Sequence, residues 1–353
     1  MATIKPRPIS IGGRRVGPGN PVYIVAEAGV NHNGSLRRGR EMVDVADRAG
    51  ADAVKFQAFN ADELATPRAM TAKYQRARGS RSPTQRALLS KLALSDDDFR
   101  ALKRHCDGRG LDFLATPFDD HHVGLLEELD VPAFKVASGD LTNIPLLVRV
   151  SRTGRPVILS TGMGNLQEID ESVATVRALQ TPIALLHCVS SYPAPHKGLR
   201  LRAIGTLRRR YSVPVGFSDH TLGPEAAVAA TALGACIIEK HFTLDRSLSG
   251  PDHAISMGQR ELGALVRAIR NVEAALEGAD IGPTESELES MALGRRSIVL
   301  RHTLRQGERV REEDLVVSRP GMGLKPRFWN SILGRRAARD ISAFEPLSLD
   351  MFE

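Results

Sequence analysis

Eight short apolar runs recur along the first two thirds of the chain, at Val22–Gly29, Asp52–Phe59, Asp112–Phe118, Ala133–Asp140, Pro156–Met163, Ile183–Ser190, Val213–His220 and Cys236–Thr243. Most open as unbroken apolar stretches, the mark of strands buried on both faces of a parallel sheet. Their starts lie about 21–30 residues apart, except for about 60 between the second and third. The intervals hold helix-compatible stretches, including Leu36–Ala49, Asp96–Arg109, Leu166–Leu179, Leu199–Arg210 and Pro224–Leu233. Eight strand–helix units predict an α/β fold, a (β/α)8 TIM barrel closing near residue 280. The long second interval predicts an insertion over roughly residues 60–90 that could act as a lid.

The chain changes character after the barrel, so three segments are expected: a catalytic barrel over 1–280, a linker over 281–290 and a small domain over 291–353. The linker is rich in Gly, Pro, Ser and acids. The small domain shows short strands, frequent turns and an internal echo. His302–Leu315 (HTLRQGERVREEDL) resembles Arg339–Phe352 (RDISAFEPLSLDMF), which predicts a compact unit built by duplication. It holds twelve Lys and Arg against eight Asp and Glu, a net +4 of the chain's +7.

That basic balance first suggests nucleic acid. The cations are scattered, however, and aromatics are only 5%, too few for a stacking platform, so a small anionic substrate fits better. No apolar run approaches the roughly 20 residues that span a bilayer. Met1 to Pro21 lacks the apolar core of a signal peptide, so a cytoplasmic location is expected. Three scattered cysteines make neither a disulfide framework nor a zinc motif.

In a (β/α)8 barrel the C-terminal ends of the strands carry the chemistry. Here they end in Glu27, Lys55 with Gln57, Thr116, Lys135 with Ser138, Ser160, His187 with Ser190, Ser218-Asp219-His220, and Glu239-Lys240-His241. Core packing does not need so many polar groups. Residues two apart share a face, so Lys55 goes with Gln57, Ser218 with His220, and Glu239 with His241. Lys240 points the other way and reads as structural. His220 and His241 end neighbouring strands and could together hold one divalent cation; the alternative is a hydrogen-bonded pair. Lys55, Lys135, Thr116, Ser138, Ser160 and Ser218 supply cations and hydroxyls suited to a phosphate and a carboxylate bound together. Only nine of the 48 basic residues are lysines, and three of them stand at these strand ends.

The motifs IVAEAGVNHNG, GADAVKFQ, FLATPFD, FKVASGD, ILSTGMGNL, LLHCVSSYPAP, VGFSDHTLG, IIEKHFTLD and GPDHAIS, in this order, resemble the sialic acid synthase family. GRRSIV, RQGERVREEDL and SRPGMG are similar to that family's antifreeze-like SAF domain, a β-clip fold. The resemblance covers about residues 20–353. It implies a nonulosonic acid synthase that condenses phosphoenolpyruvate with an N-acyl-mannosamine-type sugar, giving a sialic- or legionaminic-type 3-deoxy-2-keto acid and phosphate. It further implies a divalent metal, usually manganese, on His220 and His241. Lys55, Thr116, Lys135, Ser138, Ser160, Ser190 and Ser218 would bind phosphoenolpyruvate. Glu27 would move protons, and Gln57, Tyr192 and Asp252 would hold the sugar. Arg319 would reach from the small domain into the partner's barrel, in a domain-swapped homodimer.

Three departures bear on the substrate. Asp140 stands where the family has Glu, Ser190-Ser191 replaces a Thr-Asn pattern, and the lid stretch 66–85 lacks an expected Asn. The layout is nearer the legionaminic branch. Two rival readings stand beside it: a Schiff-base pyruvate aldolase using Lys135 or Lys55, and a non-catalytic carbohydrate- or ice-binding protein argued from the small domain alone. Plain structural roles are expected for Phe328 and Trp329 (packing), Asn31–Gly34 (a loop shaping the site), His121-His122 (the start of a solvated helix) and Cys188 (a small buried residue).

Overall fold

The computed structural model describes residues 6–71 and 84–353, so residues 72–83 of the expected lid lie outside the described residues. Two compact units divide the chain at Glu277 and Gly278.

The first unit is the barrel. Strands β3 (Tyr23–Gly29), β4 (Ala53–Ala58), β5 (Asp112–Pro117), β6 (Phe134–Val136), β7 (Val157–Ser160), β8 (Ile183–Cys188), β9 (Val215–Asp219) and β10 (Ile237–His241) form one sheet in the order β5-β4-β3-β10-β9-β8-β7-β6. Every paired neighbour is parallel. The two ends of that order, β5 and β6, lie against each other, so the ring is nearly closed. All eight expected strands are present, and each is buried on both faces, as their unbroken apolar runs require.

Local signals set the helix limits. Ser35 caps Leu36–Ala49 by accepting from Arg38 N, and Gly50, at φ 79°, ends it in the left-handed region. Capping boxes open Asp96–Asp107 (Ser95 with Asp98) and Leu166–Ala178 (Asn165 with Glu168). The helix expected from His121-His122, Asp120–Glu128, and two that the sequence left unassigned, Ile144–Ser151 and Gln259–Ala275, complete the outer layer.

The chain enters the barrel through a hairpin. Strands β1 (Ile9–Ile11) and β2 (Arg14–Val16) pair antiparallel around Gly12 and Gly13, both at positive φ. Ile11 and Val16 join Tyr23, Ala53, Ala184 and Ile237 in one cluster at the N-terminal ends of the barrel strands. This hairpin floors the barrel.

The second unit pairs β11 (Ser297–Leu300) antiparallel with β12 (Leu315–Ser318). The expected linker is partly helical, with a 3-10 turn at Glu285–Glu287 and a helix at Leu288–Gly294. The echo is structural. Leu304 and Ile341, equivalent in the two halves, exchange both backbone hydrogen bonds, at 2.9 and 2.8 Å. Val310 matches Leu347 and Leu315 matches Phe352 in one buried core, against which Phe328 and Trp329 pack. Among the described residues no helix is long and apolar enough to cross a membrane.

Candidate active site

The C-terminal ends of the strands open on a cavity of about 670 Å³. Its lining includes Glu27, Lys55, Gln57, Thr116, Lys135, Ser138, Ser160, Ser190, Tyr192, Ser218, His220 and His241. Two nominated residues do not line it. Asp252 is buried in the loop after β10, and Arg319 is exposed in the second unit. Asp140, the departure from the family pattern, accepts from Asn143 Nδ2 at 3.0 Å and is likewise outside the lining.

Strand register explains the convergence. Glu27 pairs with Lys55 on one side and His241 on the other, and Gln57 pairs with Thr116. Lys55 Nζ lies 2.8 Å from Glu27 Oε2 and 3.7 Å from Glu239 Oε2, and donates to Thr116 Oγ1 at 3.0 Å. Lys135 Nζ is 4.0 Å from Glu239 Oε1, which also accepts from Ser218 Oγ at 2.9 Å. Glu239 is therefore the hub of both lysines, and it was not nominated. Its signal was present: it stands two residues before His241, on the same face.

Burial and charge drive the two carboxyls apart. Burial pushes Glu27 up to about 7, and Glu239 adds to this, while Lys55 opposes it. Burial would also raise Glu239, but Lys135, Lys55 and the Ser218 hydroxyl outweigh it and hold Glu239 down at about 2. Glu239 is thus a permanent anion, and Glu27 is poised to exchange a proton near neutrality. Burial lowers Lys135, against the pull of Glu239.

The two histidines face the cavity with ring centroids 5.5 Å apart. His220 Nδ1 sits 3.0 Å from the Val189 carbonyl, which leaves Nε2 with its lone pair. His241 Nδ1 is buried with no hydrogen-bond partner among the described residues, and burial holds its pKa well down, so the ring is neutral. An orphaned imidazole nitrogen beside an oriented one fits a divalent cation. Neither ring belongs to a cluster of three donors. The one such cluster among the described residues is Asp96, His121 and His122, none of which lines the cavity.

Lys240 does point away: its ammonium binds Asp219 Oδ2 at 2.8 Å and the carbonyls of Thr221 and Gly223 at 2.6 and 3.0 Å. Cys188 is buried, but its thiol lines the cavity 3.8 Å from His220 Nδ1. Asn31 and Asn33 tie the loop after β3 to Phe242, Ser256 and Ser249, and neither lines the cavity. His121 starts a helix and is exposed, as expected, whereas His122 is buried. Gly162 was overlooked: a Cβ there would collide with the Ser138 and Ser190 hydroxyls, so its bareness lets both serines converge.

Residues 42–280 match the NeuB family, and residues 295–353 match the SAF domain. The N,N'-diacetyllegionaminic acid synthase of Legionella pneumophila is 42% identical over 91% of this chain and 92% of its own. The synthase of the same name from Campylobacter jejuni is 38% identical, over 90% and 96%. The crystal structure of N-acetylneuraminic acid (sialic acid) synthetase from Leptospira borgpetersenii superposes with a TM-score of 0.72 at 37% identity, covering 81% of this chain and 95% of that one.

Proposed function

The chain belongs to the NeuB family, and from that premise we propose that it is a nonulosonic acid synthase joining phosphoenolpyruvate to the open-chain aldehyde of an N-acyl-mannosamine-type sugar. One observation carries the reading: two buried lysines, hydroxyls from the ends of five strands, a split carboxyl pair and two neighbouring imidazoles share a single cavity. The legionaminic relatives favour a doubly N-acetylated acceptor. Cytoplasmic sugar metabolism fits these substrates.

Lys55 and Lys135 neutralise phosphoenolpyruvate, while Thr116, Ser138, Ser160, Ser190 and Ser218 donate to its phosphate and carboxylate oxygens. Ser160 Oγ is buried and partnerless among the described residues, as a donor awaiting an anion should be. A divalent cation, manganese on the family resemblance, would be held by His220 and His241 and, when bound, supplies Lewis-acid polarisation of the aldehyde. C3 of phosphoenolpyruvate attacks that carbon, and positive charge develops at C2. Ionised Glu27 faces this charge and takes one proton of the water that adds there, in balance with the proton taken up by the former aldehyde oxygen; the other water proton leaves with phosphate. Phosphate then leaves with its bridging oxygen, giving the 3-deoxy-2-keto acid. Gln57 and Tyr192 orient the sugar, Asp252 supports its loop, and Arg319 of a partner chain clamps the N-acyl group.

The test is phosphoenolpyruvate carrying oxygen-18 at the bridging position, supplied with manganese and a panel of mono- and di-N-acetylated sugars. The label should leave in phosphate with one class of acceptor; label retained in the keto acid would refute C–O cleavage. Lys135 favours a second reading, because burial lowers its pKa as a Schiff-base amine requires. Borohydride with pyruvate traps that aldolase and leaves the synthase active.

A further inference from the structure

Two barrel helices, Asp96–Asp107 and Asp120–Glu128, bring their first turns together away from the substrate cavity. His121 Nε2 lies 3.1 Å from both carboxylate oxygens of Asp96. The next residue, His122, is only 5% exposed, and Phe99 meets its ring edge-on with centroids 6.0 Å apart. Its Nδ1 lies 2.7 and 2.8 Å from the two oxygens of Asp119. Asp119 is also buried, and it accepts from the backbone N–H groups of His122 and Asn60 at 2.9 and 2.8 Å.

These bonds decide the tautomer. A carboxylate held by two backbone donors takes the Nδ1 hydrogen, so Nε2 carries the lone pair. No hydrogen bond reaches that Nε2 among the described residues. An Asp96–His121 ion pair by itself needs no His122 beside it. One donor atom from each of Asp96, His121 and His122 nevertheless lies within 4.8 Å of the other two. Zinc takes nitrogen and oxygen ligands at about 2.0–2.2 Å, which sets tetrahedral donors roughly 3–4 Å apart. The exposed His121 and half-buried Asp96 side chains have room to close the difference.

We propose that Asp96, His121 and His122 form a second divalent-cation site, of zinc type, with Asp119 orienting His122 and water filling the open position. A carboxylate behind a histidine ligand is the usual outer support of such a site. The ligand charge is also suitable: Asp96 and the Asp119 carboxylate behind His122 balance a dication. The bound ion pins the first turns of two helices, and through the Asp119–Asn60 bond it also steadies the start of the insertion after β4. It is a clip outside the cavity, independent of the proposed reaction.

The test titrates zinc into the full chain carrying His220→Ala and His241→Ala, which silences the imidazole pair in the cavity. One zinc per chain should bind and raise the melting temperature. Adding Asp96→Asn, a near-isosteric change at a half-buried position, with His121→Ala at an exposed one should abolish both effects. Asp119→Asn should weaken binding by about 10–100-fold. The unsubstituted chain should also lose one equivalent of zinc through the same Asp96 and His121 changes. Zinc stoichiometry unaltered by those changes, or no zinc bound when only the cavity pair is removed, overturns the site.

Discussion

Lys240 and His241 are adjacent in the chain and opposite in role. The lysine faces away from the cavity, where Asp219 and two carbonyls bind its ammonium at 1% side-chain exposure. Lys240→Ala should therefore cost about 3–5 kcal/mol of stability, because Asp219 is left charged and buried. It should leave both Michaelis constants nearly unchanged, which denaturant melts and steady-state kinetics would check. Glu27 behaves differently, since burial raises its pKa to about 7 against the pull of Lys55. As the proposed base it must be ionised, so kcat should fall as the pH drops through that region. Glu27→Gln should lower kcat by roughly 10²–10⁴-fold and erase this acidic limb. A Glu27→Gln profile with the limb intact would remove Glu27 from the proton path. Period-two alternation made the fates of Lys240 and Gln57 legible in the sequence. The same rule put Glu239 on the face of His241 but gave it no role, because its importance is electrostatic and depends on lysines from two distant strands. Gly162 had no such signal, since nothing in one sequence shows which serines a missing side chain lets converge.

Elements were easiest to read where periodicity was strong and hardest where one residue type set the shape. The eight strands follow from unbroken apolar runs, whereas the floor hairpin rests on Gly12 and Gly13 taking positive φ. Within the duplicated unit the two halves compare position by position. Gly307 turns the first half at φ 81°, and its counterpart Phe344 adopts φ 59° with its ring largely exposed. A bulky residue is strained there, and glycine is not. Phe344→Gly should be more stable than Phe344→Ala by about 1 kcal/mol, because only alanine keeps the left-handed penalty. Thermal unfolding of the two variants tests this, and equal stabilities would contradict it. The echo predicted a duplication from sequence, but not that Leu304 and Ile341 would pair with each other.

For the whole molecule, the proposed sharing of Arg319 between chains makes two inactive variants complementary. Arg319→Ala should raise the KM of the sugar more than that of phosphoenolpyruvate. Mixed with Glu27→Ala after subunit exchange, it should regain activity, since one barrel in each mixed pair keeps Glu27 and receives an intact Arg319. A mixture as inactive as its parents would show that the site is not shared. The hairpin carrying Ile11 and Val16 has a further consequence, for traffic. It makes the barrel a well with a single mouth. The lysines stand near the bottom at 3% exposure each, and Gln57 and Tyr192, half-buried, stand nearer the rim. On the proposed function, phosphoenolpyruvate at the lysines must arrive before the sugar and cannot depart beneath it. Binding is then a queue, and an unreactive sugar analogue should inhibit uncompetitively against phosphoenolpyruvate; a noncompetitive pattern would mean that the two substrates pass each other.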